Sequence, residues 1–206
     1  MQKGFAIILS APSGTGKTTL IKLLREKLPD LKFATSHTTR EIRDGEVDGK
    51  DYFFTSKEDF EKKIKNNEFL EWAEVHGCYY GTSLKSSEEH LENGYNNIIE
   101  LDVQGVKSLR KLEYSGIYLI ILPPSMEELE KRLRKRGTET EESIKRRMKN
   151  AQEEIKHYKL YDYVLTNNVV EDTVNDILSI LNTERNKVAH YLPTASDIEA
   201  LLKEVD

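Results

Sequence analysis

The sequence Ser10-Ala11-Pro12-Ser13-Gly14-Thr15-Gly16-Lys17-Thr18-Thr19 lies between two apolar segments of different periodicity. Before it, residues 5–9 form a short continuous apolar run, which is typical of a buried strand in a parallel sheet. After it, leucine and isoleucine recur at helical spacing over residues 18–27, and Pro29 ends the pattern. This order of strand, glycine-rich loop and helix predicts a loop that binds phosphate.

The residue types within the loop suit that chemistry. Gly14 and Gly16 permit turns that a Cβ would block, so several backbone N–H groups can converge on one anion at the start of a helix. Lys17 can reach the β- and γ-phosphates, and the Thr18 hydroxyl can bind Mg²⁺. Ala11 stands where the usual pattern opens with glycine. We therefore expect a nucleoside triphosphate to contact Ala11, Pro12, Ser13, Gly14, Thr15, Gly16, Lys17 and Thr18.

Further apolar strands and helices alternate along the chain. Strands are predicted at residues 97–101, 117–122 and 163–166, and helices at 103–112, 126–136, 141–158 and 170–185. Such alternation predicts an α/β fold with a mostly parallel sheet flanked by helices. Ligands of such sheets bind beyond the carboxyl ends of the strands.

Two segments interrupt the alternation. Residues 35–85 are rich in threonine, aromatic and charged residues and are interpreted as an inserted subdomain. Residues 125–158 form a densely charged helical pair, which we interpret as a mobile lid. We predict one domain, 1–206, with its core at 1–34, 86–124 and 159–186. A C-terminal extension, 187–206, follows, with a short helix from Ser196.

Composition excludes several classes of protein. The 206 residues carry a formal net charge of −5, so no global positive field attracts nucleic acid or an anionic membrane. The apolar runs are far shorter than the roughly 20 residues of a membrane span. One cysteine, Cys78, excludes an intramolecular disulfide and a cysteine-built zinc site. We expect a cytoplasmic protein, either a monomer or a homodimer, with no fixed metal and no prosthetic group.

The inserted segment carries the strings that indicate the phosphate acceptor. It contains Ser36-His37-Thr38-Thr39-Arg40, Gly45-Glu46-Val47-Asp48-Gly49-Lys50-Asp51-Tyr52 and Tyr79-Tyr80-Gly81-Thr82-Ser83. With the phosphate loop, these strings resemble the guanylate kinase family from about residue 3 to 185. The resemblance implies a P-loop kinase core, a GMP-binding insert at 35–85, a helical lid at 125–158, and ATP and GMP as substrates, with Mg²⁺ bound to ATP.

The residues of the insert also have chemistry that suits GMP. Arg40 and Arg43 can grip a phosphate through planar, charge-assisted forks, and Tyr52 and Tyr80 offer hydroxyl donors to the same oxygens. Taken singly, two such arginines are usually solvated and a Tyr-Tyr pair is usually packing. The resemblance assigns all four to the phosphate of GMP.

The base has a matching set. The Glu71 carboxylate can accept from N1–H and the exocyclic amine of guanine, while Ser36 and Thr82 can donate to O6. Adenine would leave Glu71 unpaired, which rejects a wrong ligand strongly. By itself Glu71 is equally consistent with a surface glutamate. The resemblance assigns these three residues and Asp102 to GMP.

Glu100 and Asp102 end a core strand and should face the ligand crevice. The alternative for Asp102 is a helix N-cap. Glu100 stands where the family usually has aspartate, so its contact is left open.

The charged helical pair resembles the family lid, whose arginines close over the phosphates. The matching positions are Arg132, Arg136 and Arg147, and Asn167 falls where the family contacts the adenine side of ATP. The alternative for the arginines is a solvated helix, since acidic neighbours nearly balance them. We expect Lys17, Arg40, Arg136 and Arg147 to act in catalysis.

The predicted function is ATP-dependent phosphorylation of GMP, and also of dGMP, to the diphosphate by in-line transfer, as in purine nucleotide metabolism and GMP recycling. One alternative is a non-catalytic, phosphopeptide-binding module of guanylate-kinase-like fold, although such modules usually lack an intact phosphate loop. The other is a kinase for a different small acceptor.

Overall fold

A computed structural model describes residues 4–75, 77–135, 140–187 and Leu202. Arg136, His76 and most of the C-terminal extension, including the helix expected from Ser196, lie outside the described residues. In chain order the elements are β1 (Ala6–Ser10), α1 (Lys17–Lys27), β2 (Leu31–Phe33), β3 (Ser36–Thr38), β4 (Phe53–Phe54), α2 (Lys57–Lys65), β5 (Phe69–Val75), β6 (Cys78–Ser83), α3 (Leu84–Glu92), β7 (Asn96–Glu100), α4 (Val103–Lys111), β8 (Ile117–Leu122), α5 (Met126–Lys135), α6 (Glu141–Ile155), β9 (Tyr163–Thr166) and α7 (Val170–Arg185).

The larger sheet has five parallel strands in the order β2-β7-β1-β8-β9. Its central strand, β1, is buried along its whole length, as its continuous apolar sequence predicts. The α/β fold class is therefore confirmed. The strand expected at 97–101 is displaced by one residue, so Leu101 lies just beyond it, and the helix expected to reach residue 158 ends at Ile155 before a 3-10 turn at Tyr158–Leu160.

Helices pack on both faces of this sheet because the side chains of β1 alternate between two cores. Ile7 and Leu9 join an apolar cluster with Leu24 of α1 and Ile177 of α7. On the other face Ile8 joins a second cluster with residues of α4 and β8. The loop after β1 is thereby held between two packed layers, and it opens at the carboxyl edge of the sheet.

The second sheet has four strands in the order β4-β3-β6-β5. Phe60 of α2 is fully buried against it and stacks on Phe69 with ring centroids 4.4 Å apart. A Cβ on Gly81 would lie 2.9 Å from Phe60, so the glycine of the Tyr-Tyr-Gly string permits this close packing. In the strand register Thr82 pairs with both Ser36 and Glu71, which sets three predicted base-binding residues side by side.

The charged pair α5 and α6 has a small core of its own, in which Leu129, Leu133, Ile144 and Ala151 are buried. The pair packs on the phosphate loop. Leu133 of α5 lies so close to Gly14 that a Cβ on this glycine would be 2.8 Å from the leucine side chain. Across the described part of the chain, we find no helix with the length and apolar character of a membrane span.

Candidate active site

The loop between β1 and α1 has the backbone that an anion site requires. Gly14 and Gly16 adopt φ of +95° and +101°, in the left-handed region where a side chain is strained. The Thr15 N–H donates to the Pro12 carbonyl over 3.1 Å and tightens the loop. Gly16 is the N-cap of α1 and provides no side-chain acceptor, so the helix start presents its positive end to the cavity.

Asn167 and Arg132 both donate hydrogen bonds to the backbone of this loop. The Asn167 amide donates to the Thr15 carbonyl over 2.7 Å, and its Oδ1 accepts from the Thr173 hydroxyl over 3.2 Å. The Arg132 guanidinium donates to the carbonyls of Thr15 and Asn167 and pairs with Glu128. Both residues thus position the loop. Their expected contacts with ATP stay predictions.

A second arginine connects the lid to the loop. Arg147 of α6 donates to the Ser13 hydroxyl over 2.6 Å. The third expected lid arginine, Arg136, lies outside the described residues. Two of the three arginines expected in the lid, Arg132 and Arg147, therefore contact the phosphate loop directly.

Lys17 lies at the junction of two cavities and pairs with Glu100. Its ammonium group is 3.1 Å from Oε2 of Glu100, at the carboxyl end of β7. This pairing supplies a contact for the glutamate whose role the sequence left open. The first cavity, of about 340 Å³, is bounded by the phosphate loop from Ser10 to Gly14 and by Gly16 to Thr19. Thr15 is fully buried and does not line it.

The second cavity, of about 360 Å³, lies between the two sheets. It shares Lys17, Leu101 and Asp102 with the first, so the cavities adjoin. The predicted acceptor residues along its wall are Ser36, Tyr52, Glu71, Tyr80 and Asp102.

Glu71 is the buried carboxyl group of this cavity. Its exposed fraction is 9%, and the Thr82 hydroxyl donates to its Oε1 over 2.9 Å. Burial raises the pKa of Glu71 to about 7, and nearby Asp102 adds to this, while the Thr82 hydrogen bond opposes it. Ser36 Oγ lies 3.4 Å from Thr82 Oγ1. Thr82 does not line the cavity, but its hydroxyl contacts both Ser36 and Glu71, the other two base-binding candidates.

Asp102 is the N-cap of α4 and also lies at the junction of the two cavities, while its contact with a ligand stays a prediction. Its Oδ1 accepts from the Gly105 N–H over 2.9 Å as the N-cap of α4. It also lines both cavities. Capping orients the carboxylate and leaves it exposed to ligand at the junction.

The two predicted phosphate arginines differ in setting, and a residue that the sequence did not single out connects them. Arg40 donates to both carboxylate oxygens of Glu46, over 2.7 and 3.0 Å, and lies 5.5 Å from the Tyr52 ring centroid. The backbone N–H of Arg43 donates to the same carboxylate over 2.8 Å. The Arg43 residue is exposed, and neither arginine lines the second cavity. Glu46 is within the Gly-Glu-Val-Asp-Gly string, which was the available signal.

Two more residues of the first cavity were also missed. Glu154 near the end of α6 and Tyr161 after the 3-10 turn line the same cavity as the phosphate loop. No spacing in the sequence connects either residue with the loop, because the separation in the chain is more than 100 residues.

The donor set fits a divalent cation that arrives with phosphate. Thr18, Asp102 and Glu154 offer the hard oxygen ligands that Mg²⁺ takes. Within the described ranges, no group of three or more acidic, histidine or cysteine side chains is arranged to hold an ion by itself. The cavity therefore fits Mg²⁺ bound chiefly to phosphate and water.

In sequence, this chain is similar to guanylate kinases. A family model described as guanylate kinase matches residues 3–184. Guanylate kinase of Clostridium tetani is 49% identical over 189 residues, covering 91% of this chain and 90% of that protein. Guanylate kinase of Carboxydothermus hydrogenoformans is 46% identical over 187 residues, covering 91% and 92%.

Solved structures agree with this result. The crystal structure of guanylate kinase from Anaplasma phagocytophilum matches with a TM-score of 0.79 and 31% identity, covering 100% of this chain and 98% of that one. The SH3-kinase fragment of tight junction protein 3 matches with a TM-score of 0.52 and 12% identity, covering 91% and 60%. The second likeness shows the fold alone.

Proposed function

This chain belongs to the guanylate kinase family and is a nucleoside monophosphate kinase, and on that premise we propose that it transfers the γ-phosphoryl group of ATP to GMP. The products are ADP and GDP. The observation that carries this proposal is the contact of two cavities at Lys17 and Asp102, one bounded by the phosphate loop and the other by Glu71 and two tyrosines.

The acceptor oxygen needs no general base. A phosphate oxygen of GMP is already an anion, so catalysis consists of positioning and of neutralising charge in a site that excludes water. Lys17 lies at the junction of the cavities, where the transferred group must pass. Arg147 reaches the loop at Ser13 and can add positive charge on the donor side. Thr18, which lines the first cavity, would hold the Mg²⁺ that accompanies ATP, and the ion would supply further positive charge to the phosphates.

Arg40 and the tyrosines are assigned to the acceptor phosphate. The Arg40 guanidinium lies beside Tyr52, and the Tyr52 and Tyr80 rings meet edge to face with centroids 6.0 Å apart. Neither arginine lines the second cavity, so the side chains of both Arg40 and Arg43 must turn inward to join the tyrosines. We further propose that the insert, residues 35–85, and the lid, residues 125–158, close on the sheet, because bulk water would otherwise compete as the acceptor.

Guanine is selected by Glu71, which lines the second cavity. An ionised Glu71 accepts the two adjacent donors of guanine, N1–H and the exocyclic amine, and adenine offers neither pairing. A buried carboxylate left without a donor is strongly unfavourable, so the site discriminates against adenine. Ser36 and Thr82 are assigned to O6, and for Thr82 this requires its hydroxyl to turn away from Glu71, to which it donates in this structure. None of these groups is assigned to the ribose 2′-hydroxyl, so dGMP is expected as a substrate too.

We also propose a cytoplasmic location, which suits a kinase of free nucleotides with a single cysteine, Cys78. The phosphopeptide-binding alternative is disfavoured, because the loop backbone, Lys17 and Thr18 that transfer requires are all present at the first cavity.

The proposal is tested by following the γ-phosphate. Protein, Mg²⁺, GMP and ATP labelled at the γ-position are incubated, and nucleotides are separated by chromatography. We expect the label in the β-position of GDP. Label in inorganic phosphate alone, or unchanged ATP, would exclude the transferase function.

A further inference from the structure

The first cavity is lined by two carboxylates as well as by the phosphate loop, and one of the two carboxylates comes from the lid. Asp102 follows β7, Glu154 lies one residue before the end of α6, and Tyr161 follows the 3-10 turn. Tyr161 has none of the roles proposed above, and Glu154 has been described only as an oxygen donor of a type that Mg²⁺ takes.

The two carboxylates lie close enough to affect each other. Burial raises the pKa of Glu154, the charge of Asp102 adds to this, and Lys17 opposes it. The phosphate loop, which we assign to a triphosphate of several negative charges, lines the same cavity. Like charges that share a partly desolvated site repel each other, so a bound triphosphate and these carboxylates need a cation between them.

The Tyr161 hydroxyl is a second and independent sign of a ligand here. The residue is 8% exposed, and its hydroxyl has no hydrogen-bond partner of good geometry among the described residues. Ser10 lies beside it, and the Ser10 hydroxyl donates its one proton to the Leu101 carbonyl over 2.6 Å, so it cannot donate to the Tyr161 oxygen. Buried polar groups are rarely left unpaired, so this hydroxyl is suited to a polar group that the ligand brings, such as a water of a hydrated ion.

We propose that Glu154, together with Asp102, stabilises the hydrated divalent cation that accompanies ATP, and thereby makes ATP binding depend on that cation. The inference rests on the proposed function for the identity of the nucleotide. Glu154 is a positioning residue in this scheme, since it acts on the ion and its waters and not on the transferred phosphoryl group.

The position of Glu154 also connects the cation to the lid. The same helix, α6, carries Arg147, which donates to Ser13 of the phosphate loop. The middle of α6 thus contacts the anion-binding loop, and its C-terminal end presents a carboxylate to the cation. Binding of the complete metal–nucleotide pair satisfies both Arg147 and Glu154, whereas ATP alone repels Glu154.

The test measures ATP affinity by calorimetry in excess Mg²⁺ and in excess EDTA, for wild type and for Glu154→Gln. In the wild type we expect Mg²⁺ to strengthen binding. In Glu154→Gln the gain from Mg²⁺ should shrink by about tenfold, within the usual range of coupling between two ligands. Binding in EDTA should become tighter, because a repelling charge has been removed.

Glu153→Gln is the matched control. Glu153 is the neighbouring residue of the same helix, is exposed, and pairs with Lys156 over 2.7 Å. It should retain the wild-type response to Mg²⁺. Tyr161→Phe should lower the gain from Mg²⁺ several-fold without tightening the binding in EDTA, since it removes no charge.

The result that overturns the inference is a Glu154→Gln protein whose affinity for ATP is unchanged in both conditions, or is weakened equally in both, as a general structural defect would cause. Turnover of the wild type with GMP is measured in parallel. If the wild type makes no GDP, the proposed function fails, whatever the Mg²⁺ dependence of Glu154→Gln.

Discussion

The ammonium group of Lys17 lies 3.1 Å from Oε2 of Glu100, so the lysine of the phosphate loop is held by the end of the neighbouring strand. Because β1 and β7 are adjacent in the sheet, the loop that follows one strand meets the carboxylate that ends the other. This pairing directs Lys17 toward the line along which the two cavities meet.

Lys17→Ala is expected to remove turnover and to preserve GMP binding. The side chain supplies positive charge to the transferred group, and loss of one such group commonly costs at least about 10²-fold in kcat. ADP release by a coupled assay and GMP affinity by calorimetry are the measurements. Lys22→Ala, on the exposed face of α1, is the control and should behave like wild type. Lost GMP affinity with normal turnover would contradict the assignment.

Glu71 should make stability depend on pH in an unusual direction. Burial raises its pKa from 4.5 to about 7, so the folded state holds its proton more tightly than the unfolded state does. The resulting penalty is absent below pH 4.5, grows as the pH rises, and is complete above about pH 7. Between pH 5 and 8 the free energy of unfolding of wild type should fall by about 2–3 kcal/mol more than that of Glu71→Gln. Urea denaturation at both pH values measures this, and parallel changes in the two proteins would refute it.

Glu46→Gln should weaken GMP binding through Arg40. The Glu46 carboxylate accepts from the Arg40 guanidinium and from the Arg43 backbone, so it orders the loop that carries both arginines. We expect KM for GMP to rise about tenfold, with a smaller change in kcat and no change in KM for ATP. Steady-state kinetics with each substrate varied checks this.

Asp44→Asn in the same exposed loop is the control for Glu46→Gln. A lower KM for GMP in Glu46→Gln would mean that Glu46 competes with the phosphate, which is the opposite of the positioning role.

Gly16→Ala should distort the phosphate loop. The residue has φ of +101°, and a Cβ would lie 2.6 Å from the Asn167 amide nitrogen that holds the Thr15 carbonyl. We expect a loss of about 1–3 kcal/mol in stability and at least tenfold weaker ATP binding. Gly45→Ala is the control for backbone strain without a steric clash. Gly45 has a similar φ of +87°, and no atom lies within 4 Å of the added Cβ. Equal ATP affinities in the two variants would refute the packing argument.

The large sheet was predictable because its strands are continuous apolar runs bounded by glycine, proline or charge. The residue ranges of β8 and β9 agree with the structure. Strand β2 was not predicted: it has three residues, with Lys32 at the centre, and only pairing with β7 makes it a strand. Helix α3 was missed for a similar reason, since it buries little apolar surface.

The position of a candidate residue at the cavities was predictable where a motif or the family resemblance supplied the signal, as for Lys17 and Glu71. It was not predictable where the role depends on a distant contact. Asn167 holds the Thr15 carbonyl from 152 residues away in the sequence, and Glu154 reaches the first cavity only because α6 folds back over the loop. Such contacts depend on how helices pack, and local patterns do not encode that packing.

The most direct test of the central claim is acceptor specificity. With ATP and Mg²⁺, kcat/KM is measured for GMP, dGMP, AMP, CMP and UMP. If the second cavity selects guanine through Glu71, kcat/KM for GMP exceeds that for AMP by about 10⁴-fold or more, dGMP is phosphorylated, and CMP and UMP remain near background. A higher kcat/KM for AMP, CMP or UMP than for GMP would contradict the account.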